Sequence, residues 1–132
     1  MSEASIQARI LLAIGALPGV RVFRNTVGTG WHGEPMRPGW QGLPAGEYLV
    51  LKNPRRVSFG LFPGSHDIIG WRTLQTAPGL SVAQFLGIEV KTAKGVLSSQ
   101  QSRFGSVLSR AGGLSLVARS PEEALALLEK GT

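Results

Sequence analysis

Glu89 and Lys91 stand two apart in the stretch Gln84-Phe85-Leu86-Gly87-Ile88-Glu89-Val90-Lys91. Its β-branched and aromatic residues, bounded by turn formers, predict a strand. So apolar a run belongs inside a sheet covered on both faces. Side chains alternate along a strand, so Glu89 and Lys91 project from one face while Ile88 and Val90 point the other way. A carboxylate beside an ammonium near the end of a buried strand needs a reason, because buried charge is costly unless it is paired or metal-bound. Asp67 stands at the head of the strand predicted over His66-Asp67-Ile68-Ile69-Gly70-Trp71. In a meander the two strands are antiparallel neighbours, and the start of one lies beside the finish of the other. Asp67, Glu89 and Lys91 then share one edge of the sheet. Two carboxylates and a backbone carbonyl, that of Val90, are hard oxygen donors suited to Mg²⁺ or Mn²⁺. Such an ion polarises a phosphodiester, stabilises the leaving oxygen and activates a water. Lys91 is placed to hold that water or to stabilise charge on the phosphoryl group. The competing reading is a salt bridge between neighbours, with no chemistry.

The elements that must position these residues follow from periodicity and punctuation. Ile6, Ile10, Leu11, Ala13, Ile14 and Leu17 recur at helical spacing from Ser2 to about Ala16, and Pro18-Gly19 ends the run. Ser2 caps this helix, and Glu3 in its first turn suits the helix dipole. Val20–Asn25 alternates as a strand. Gly28-Thr-Gly30-Trp31-His32-Gly33 matches G-x-G-x-x-G. A dinucleotide site needs a helix opening at those glycines, and Pro35 and Pro38 oppose one. Thr26–Gly46 is therefore expected to be a long loop, with Trp31, Arg37 and Trp40 available for stacking on bases and for phosphate contacts. Folding of the tryptophans onto the core is the alternative. Glu47–Leu51 and Val57–Leu61 predict a hairpin turning at Lys52-Asn53-Pro54-Arg55-Arg56. Those cations suit either a phosphate backbone or plain solvent.

Ser65-His66-Asp67 is not a catalytic triad, since neighbours in an extended segment face opposite ways. His32 and His66 without any cysteine make a poor zinc set. After the Gln84–Lys91 strand comes a loop carrying Lys94. A helix is expected from Ser99 to Ala111, with Ser98 and Gln101 at capping-box spacing and Gly112-Gly113 at its end. Leu114–Ala118 predicts a strand. Ser120-Pro121-Glu122-Glu123 opens a last helix, whose Ala124, Leu125, Leu127 and Leu128 face the core. With the hairpin counted as one unit the order is α-β-β-β-β-α-β-α, an α/β chain with a mixed sheet flanked by helices. No repeat or low-complexity tract divides the 132 residues, so one domain over 1–132 is expected.

Hydrophobic residues make up 42% of the chain and charged ones 17%, a globular balance. No apolar run approaches about 20 residues, so no membrane span or membrane partner is expected. The N-terminus has no secretory pattern, and the absence of cysteine fits a reducing cytoplasm. Fourteen Lys and Arg against eight Asp and Glu give a net charge of +6, which favours a polyanionic partner such as nucleic acid. A generally basic soluble protein would show the same excess.

Taken together, Pro63-Gly64-Ser65-His66-Asp67-Ile68-Ile69-Gly70, then Ile88-Glu89-Val90-Lys91, then Leu97-Ser98-Ser99-Gln100-Gln101 resemble the VRR-NUC nucleases of the PD-(D/E)xK superfamily. The resemblance begins at Ser2-Glu3-Ala4-Ser5-Ile6-Gln7, continues through Arg24-Asn25 and ends at the Pro121-Glu122-Glu123 helix. It implies a restriction-endonuclease-like fold. It also implies metal binding by Asp67 and Glu89, catalysis by Lys91, an accessory acid at Glu3, and support from Gln101. His66 departs from the family pattern, where a small residue or proline is more usual, and the loop after Trp31 is longer than expected. The length is similar to the stand-alone members of phages and bacteria, so the implied location is the cytoplasm of a bacterial or phage-infected cell. The implied activity is Mg²⁺- or Mn²⁺-dependent endonucleolytic hydrolysis of DNA, with branched or four-way (Holliday) junctions favoured, by a homodimer. Arg24, Asn25, Trp31, Arg37, Trp40, Arg55, Arg56 and Lys94 are the candidate nucleic-acid contacts. The rival from another class is a basic DNA-binding or assembly module without chemistry. A third is a nuclease directed at RNA.

Overall fold

Local sequence signals set the elements of the computed structural model, which describes residues 1–37 and 44–131. Helix α1 spans Glu3–Gly15, capped by the Ser2 hydroxyl, which accepts the Ser5 N–H at 3.2 Å. Its Ile6, Ile10 and Ile14 fall on one face and are buried. Strands β1 (Val20–Arg24), β2 (Gly28–Met36), β3 (Val50–Phe59), β4 (Ile68–Ala77) and β5 (Leu80–Val90) follow. Helix α2 (Ser99–Arg110), strand β6 (Leu114–Ala118) and helix α3 (Pro121–Lys130) complete the chain. Ser98 and Gln101 form the expected capping box of α2, and Ser120 with Pro121 opens α3.

The architecture is mixed α/β. One sheet has the order β1-β4-β5-β6, with β1, β4 and β5 antiparallel and β6 parallel to β5. A parallel neighbour requires a crossover, and α2 provides it. Leu86, Ile88 and Val90 of β5, with Leu116 and Ala118 of β6, share one face and pack on Ile6, Ile10 and Ile14 of α1 and on Ala124 and Leu128 of α3. The alternate β5 residues, Gly87 and Glu89, face the α2 side. The sheet is thus covered on both sides at the strand end where the charged residues lie. Among the described residues no helix is long and apolar enough to cross a membrane.

Two expectations fail in the middle of the chain. Gly28–Met36 is a strand and not part of a loop, and Lys52–Arg56 is not a turn. Instead β3 runs unbroken from Val50 to Phe59 and pairs with β2 as a separate antiparallel ribbon. Glycine makes this pairing fit. A Cβ on Gly28 would lie 2.9 Å from the Phe59 ring, and one on Gly30 would lie 3.3 Å from it. Asn53 adopts φ 51 opposite a register shift between His32 and Glu34, so the Asn-Pro pair makes an irregularity in the ribbon and the chain does not reverse there. Strand β4 also runs on past Trp71 to Ala77 and turns into β5 at Pro78-Gly79.

Gly70 lies opposite Val22 in the antiparallel β1–β4 pair, and a Cβ there would approach the Arg21 carbonyl oxygen to 1.8 Å. Backbone cannot move aside as a side chain can. Gly70→Ala is expected to destabilise the fold by about 3 kcal/mol, the upper range for overpacking. Gly79→Ala meets no neighbour within 4 Å and bears only its φ of +74°; about 1 kcal/mol is expected there. Urea unfolding of the two variants measures the difference.

Candidate active site

The register Ile68↔Ile88 puts Asp67, one residue before β4, across from Glu89. The Val90 N–H donates to Asp67 Oδ2 at 2.9 Å and fixes that carboxylate at the end of β5. Glu89 Oε1 receives Lys91 Nζ at 3.4 Å and Gln101 Nε2 at 2.5 Å. Lys91 lies just beyond β5 and not within it, and its own N–H donates to the Ala118 carbonyl at 3.1 Å. Gln101 serves two purposes. Its Oε1 accepts the Ser98 N–H at 2.9 Å to close the capping box, and its Nε2 reaches Glu89. The start of α2 is therefore locked to the carboxylate. The structure brings Asp67, Glu89, Lys91 and Gln101 to one strand end.

The cluster sits in an electrostatically tense place. Glu89 is 1% exposed, and the Lys91 side chain is largely buried beside it. Burial pushes the Asp67 carboxyl above its ordinary pKa; the Val90 N–H opposes this, the charges of Glu89 and Glu3 add to it, and Lys91 offsets part. Glu3 itself is exposed in the first turn of α1, close enough for its charge to act on Asp67.

Three residues were not singled out for these roles by sequence reasoning. Gln7, one turn after Glu3, donates to the Asp67 carbonyl oxygen at 3.1 Å and accepts from Arg24 at 3.2 Å, tying α1 and β1 to the site. The i to i+4 spacing from Glu3 was the available signal. Ser115 Oγ lies 2.7 Å from His66 Nε2. His66 is buried, its Nδ1 stands 3.4 Å from Glu89 Oε2, and Phe104 meets the ring edge-on at 4.7 Å. A Cβ on Gly87 would come 2.9 Å from the imidazole, and one on Gly105 would come within 3.6 Å of it. Gly87 thus leaves room for the histidine, and Gly105 for its Ser115 partner, whose Oγ a Cβ there would approach to 2.8 Å. Among the described residues, His66 Nδ1 and Glu89 Oε2 are buried without a hydrogen-bond partner.

The expected nucleic-acid contacts divide. Asn25 is not available for such a contact. It is 7% exposed, and its amide is consumed by bonds to Ser65 Oγ, the His66 carbonyl and the Leu61 N–H. A buried polar side chain needs such partners. Arg24, Arg37, Lys94, Trp31, Arg55 and Arg56 are exposed, the last three on the ribbon. Trp40 lies outside the described residues.

Comparison of the chain with protein-family models, with curated proteins and with solved structures found no match. The reading of the site therefore rests on its own geometry. Among the described residues no three His, Cys, Asp or Glu side chains converge as a ready metal cage. The donor set is two carboxylates flanked by the charge of Glu3, and the Glu89 oxygen without a hydrogen-bond partner faces His66 Nδ1 at 3.4 Å. That set fits a hard cation such as Mg²⁺, which takes one or two carboxylates and keeps several waters.

The raised pKa gives a test with a defined sign. Below the ordinary carboxylate range Asp67 is protonated both folded and unfolded. As pH rises past that range the unfolded chain gives up the proton more readily, so Asp67 lowers stability. In metal-free buffer Asp67→Asn is expected to be at least as stable as the parent at pH 7 by urea midpoint, and this advantage should vanish below about pH 4.

Proposed function

We propose that the chain is a divalent-metal-dependent endonuclease that hydrolyses phosphodiester bonds in DNA, with branched or four-way junction DNA as its preferred substrate. The observation that carries this reading is the acidic cluster at the end of β5: Asp67 stands next to the Ile68–Ile88 pair with its carboxylate on the Val90 N–H, Glu89 is close enough for its charge to act on it, and Lys91 lies 3.4 Å from Glu89. Asp67 and Glu89, with the Val90 carbonyl, would hold Mg²⁺ or Mn²⁺. When bound, the ion supplies Lewis acidity toward a phosphoryl oxygen and lowers the pKa of a water.

The remaining roles belong to the chain itself. Gln101 orients Glu89, and the Val90 N–H orients Asp67. The Lys91 ammonium sits where it can donate to an attacking water or to a phosphoryl oxygen. Glu3 adds negative charge at the margin and suits a water-mediated contact with the cation. Junction preference comes with the resemblance to VRR-NUC nucleases, as does a homodimer, which would offer two sites to a two-fold junction. The sheet face carrying Phe23, Trp71 and Phe85 is apolar and partly exposed in the single chain, a surface suited to burial by a second copy.

Cleavage of junction, flap and linear duplex with Mg²⁺ or Mn²⁺ tests the proposal, with a ribose version of one substrate alongside. Asp67→Asn and Glu89→Gln are each expected to lower the rate about 100-fold or more, the scale of losing a charge-stabilising group. Lys91→Ala should lose rate yet keep the thermal stabilisation that Mn²⁺ gives the parent. Absence of product from the parent on every substrate would leave a basic DNA-binding module without chemistry.

A further inference from the structure

The β2–β3 ribbon is inserted at the site and not at a remote edge. The chain leaves β1 at Asn25, whose N–H donates to the Asp67 carbonyl at 2.8 Å. It returns at Leu61, whose N–H donates to Asn25 Oδ1 at 3.0 Å, and reaches Ser65 and His66, which the same Asn25 amide holds at 2.8 Å. One buried side chain thus fastens both legs of the ribbon beside Asp67. Beyond that root, β2 and β3 pack chiefly on each other and stand clear of the main sheet.

The ribbon's two faces differ. In an antiparallel pair, residues directly opposite share a face. Trp31 pairs with Arg56 and Thr29 with Ser58, so one face carries an indole, a guanidinium and two hydroxyls. Trp31 is 64% exposed, and nothing among the described residues covers it. On the other face Gly28 pairs with Phe59, Gly30 with Val57 and His32 with Arg55. There the Phe59 ring lies against the glycines, so the ribbon covers its own apolar side. Lys52, Arg55 and Arg56 against Glu34 leave the described ribbon at 3 − 1 = +2.

We propose that this ribbon is a DNA-reading arm that lies in the major groove of the duplex next to the cleavage site. That groove is about 12 Å wide and admits a two-stranded ribbon. The Trp31 and Arg56 face turns to the base edges: Arg56 donates to guanine, the Thr29 and Ser58 hydroxyls serve as short donors or acceptors, and Trp31 offers an apolar surface to the thymine methyl. Lys52 and Arg55 reach the flanking phosphates. The inference rests on the reading of DNA as substrate, but it does not require cleavage. It extends that reading from a charge-driven encounter to a base-sensitive hold on the duplex arm beside the cut.

The test measures binding of labelled duplex and of single strand by fluorescence anisotropy, in EDTA so that no strand is cut, over a range of salt. Arg55→Ala and Lys52→Ala are each expected to weaken duplex binding uniformly across sequences and to reduce the salt slope by about one. Arg56→Ala should weaken binding about 10-fold or more and flatten the difference between duplex sequences. Trp31→Ala should act on duplex more than on single strand. Circular dichroism and melting should match the parent, since these side chains are exposed. Parent-like duplex affinity and salt slope in an Arg55→Ala/Arg56→Ala chain overturns the proposal. So does loss of single-strand binding equal to that of duplex, which would make the ribbon a stacking platform. The parent's cleavage assay with Mg²⁺, run alongside, separates this outcome from the nuclease reading: a parent that binds through the ribbon but never cuts defeats cleavage alone.

Discussion

A carboxylate closed inside a sheet is the constraint on which this molecule turns. Glu89 occupies a strand position that is 1% exposed, between residues that otherwise build an apolar core. Left unpaired, such a charge would be strongly destabilising. Its neighbours are arranged accordingly. Lys91 returns toward it from just past the strand end, and Gln101 donates to it from the first turn of α2. Because Gln101 also closes the capping box, the N-terminus of that helix cannot drift without disturbing the acid. Gly87 thins the packing so that an imidazole fits alongside, and Gly105 does so for the Ser115 hydroxyl that the imidazole meets. A core built for stability alone could place a leucine there. Retaining the charge with several supporting contacts is what a working site would require.

Asp67 is the second fixed point, and its backbone matters as much as its side chain. The carbonyl oxygen accepts from the Asn25 N–H and from Gln7, while the carboxylate accepts from Val90. Helix α1, strand β1 and strand β5 therefore meet at one residue. The ribbon hangs from the same place through Asn25. Elements distant in sequence are brought to a single strand end, and the acid that would hold a cation is also the hinge pin of the local fold.

Much of this was legible in the chain because it follows from short-range rules. Period-two alternation placed Glu89 and Lys91 together, and meander geometry brought Asp67 to them. Ser98 with Gln101, and Ser120 with Pro121, announced their helices by capping chemistry. The ribbon was hidden for a physical reason. Glycines at 28, 30 and 33 weaken any strand signal taken alone, and they become favourable only once the Phe59 ring and the β3 backbone approach. Asn53-Pro54 imitates a turn, but with its partner strand in place it is absorbed as an irregularity. Asn25 looks like a surface residue because nothing local shows that Ser65, His66 and Leu61 will close over it. Signals carried by spacing survived; those set by long-range contact did not.

Charge ties the two halves of the proposal together. The chain carries +6 overall, yet Glu3, Asp67 and Glu89 against Lys91 leave a local sum of −3 + 1 = −2. A phosphate drawn in by Arg55, Arg56 and the other exposed cations would meet repulsion at this strand end. The same burial and the neighbouring Glu89 and Glu3 charges that raise the Asp67 pKa mark this strand end as unfavourable for further negative charge. In the proposed nuclease a divalent cation would answer it: two positive charges would bring the local sum to zero and let a phosphodiester approach. The distribution, cationic outside and acidic at one buried strand end, is the one expected where a polyanion is attracted by the surface and admitted to the site only together with a metal.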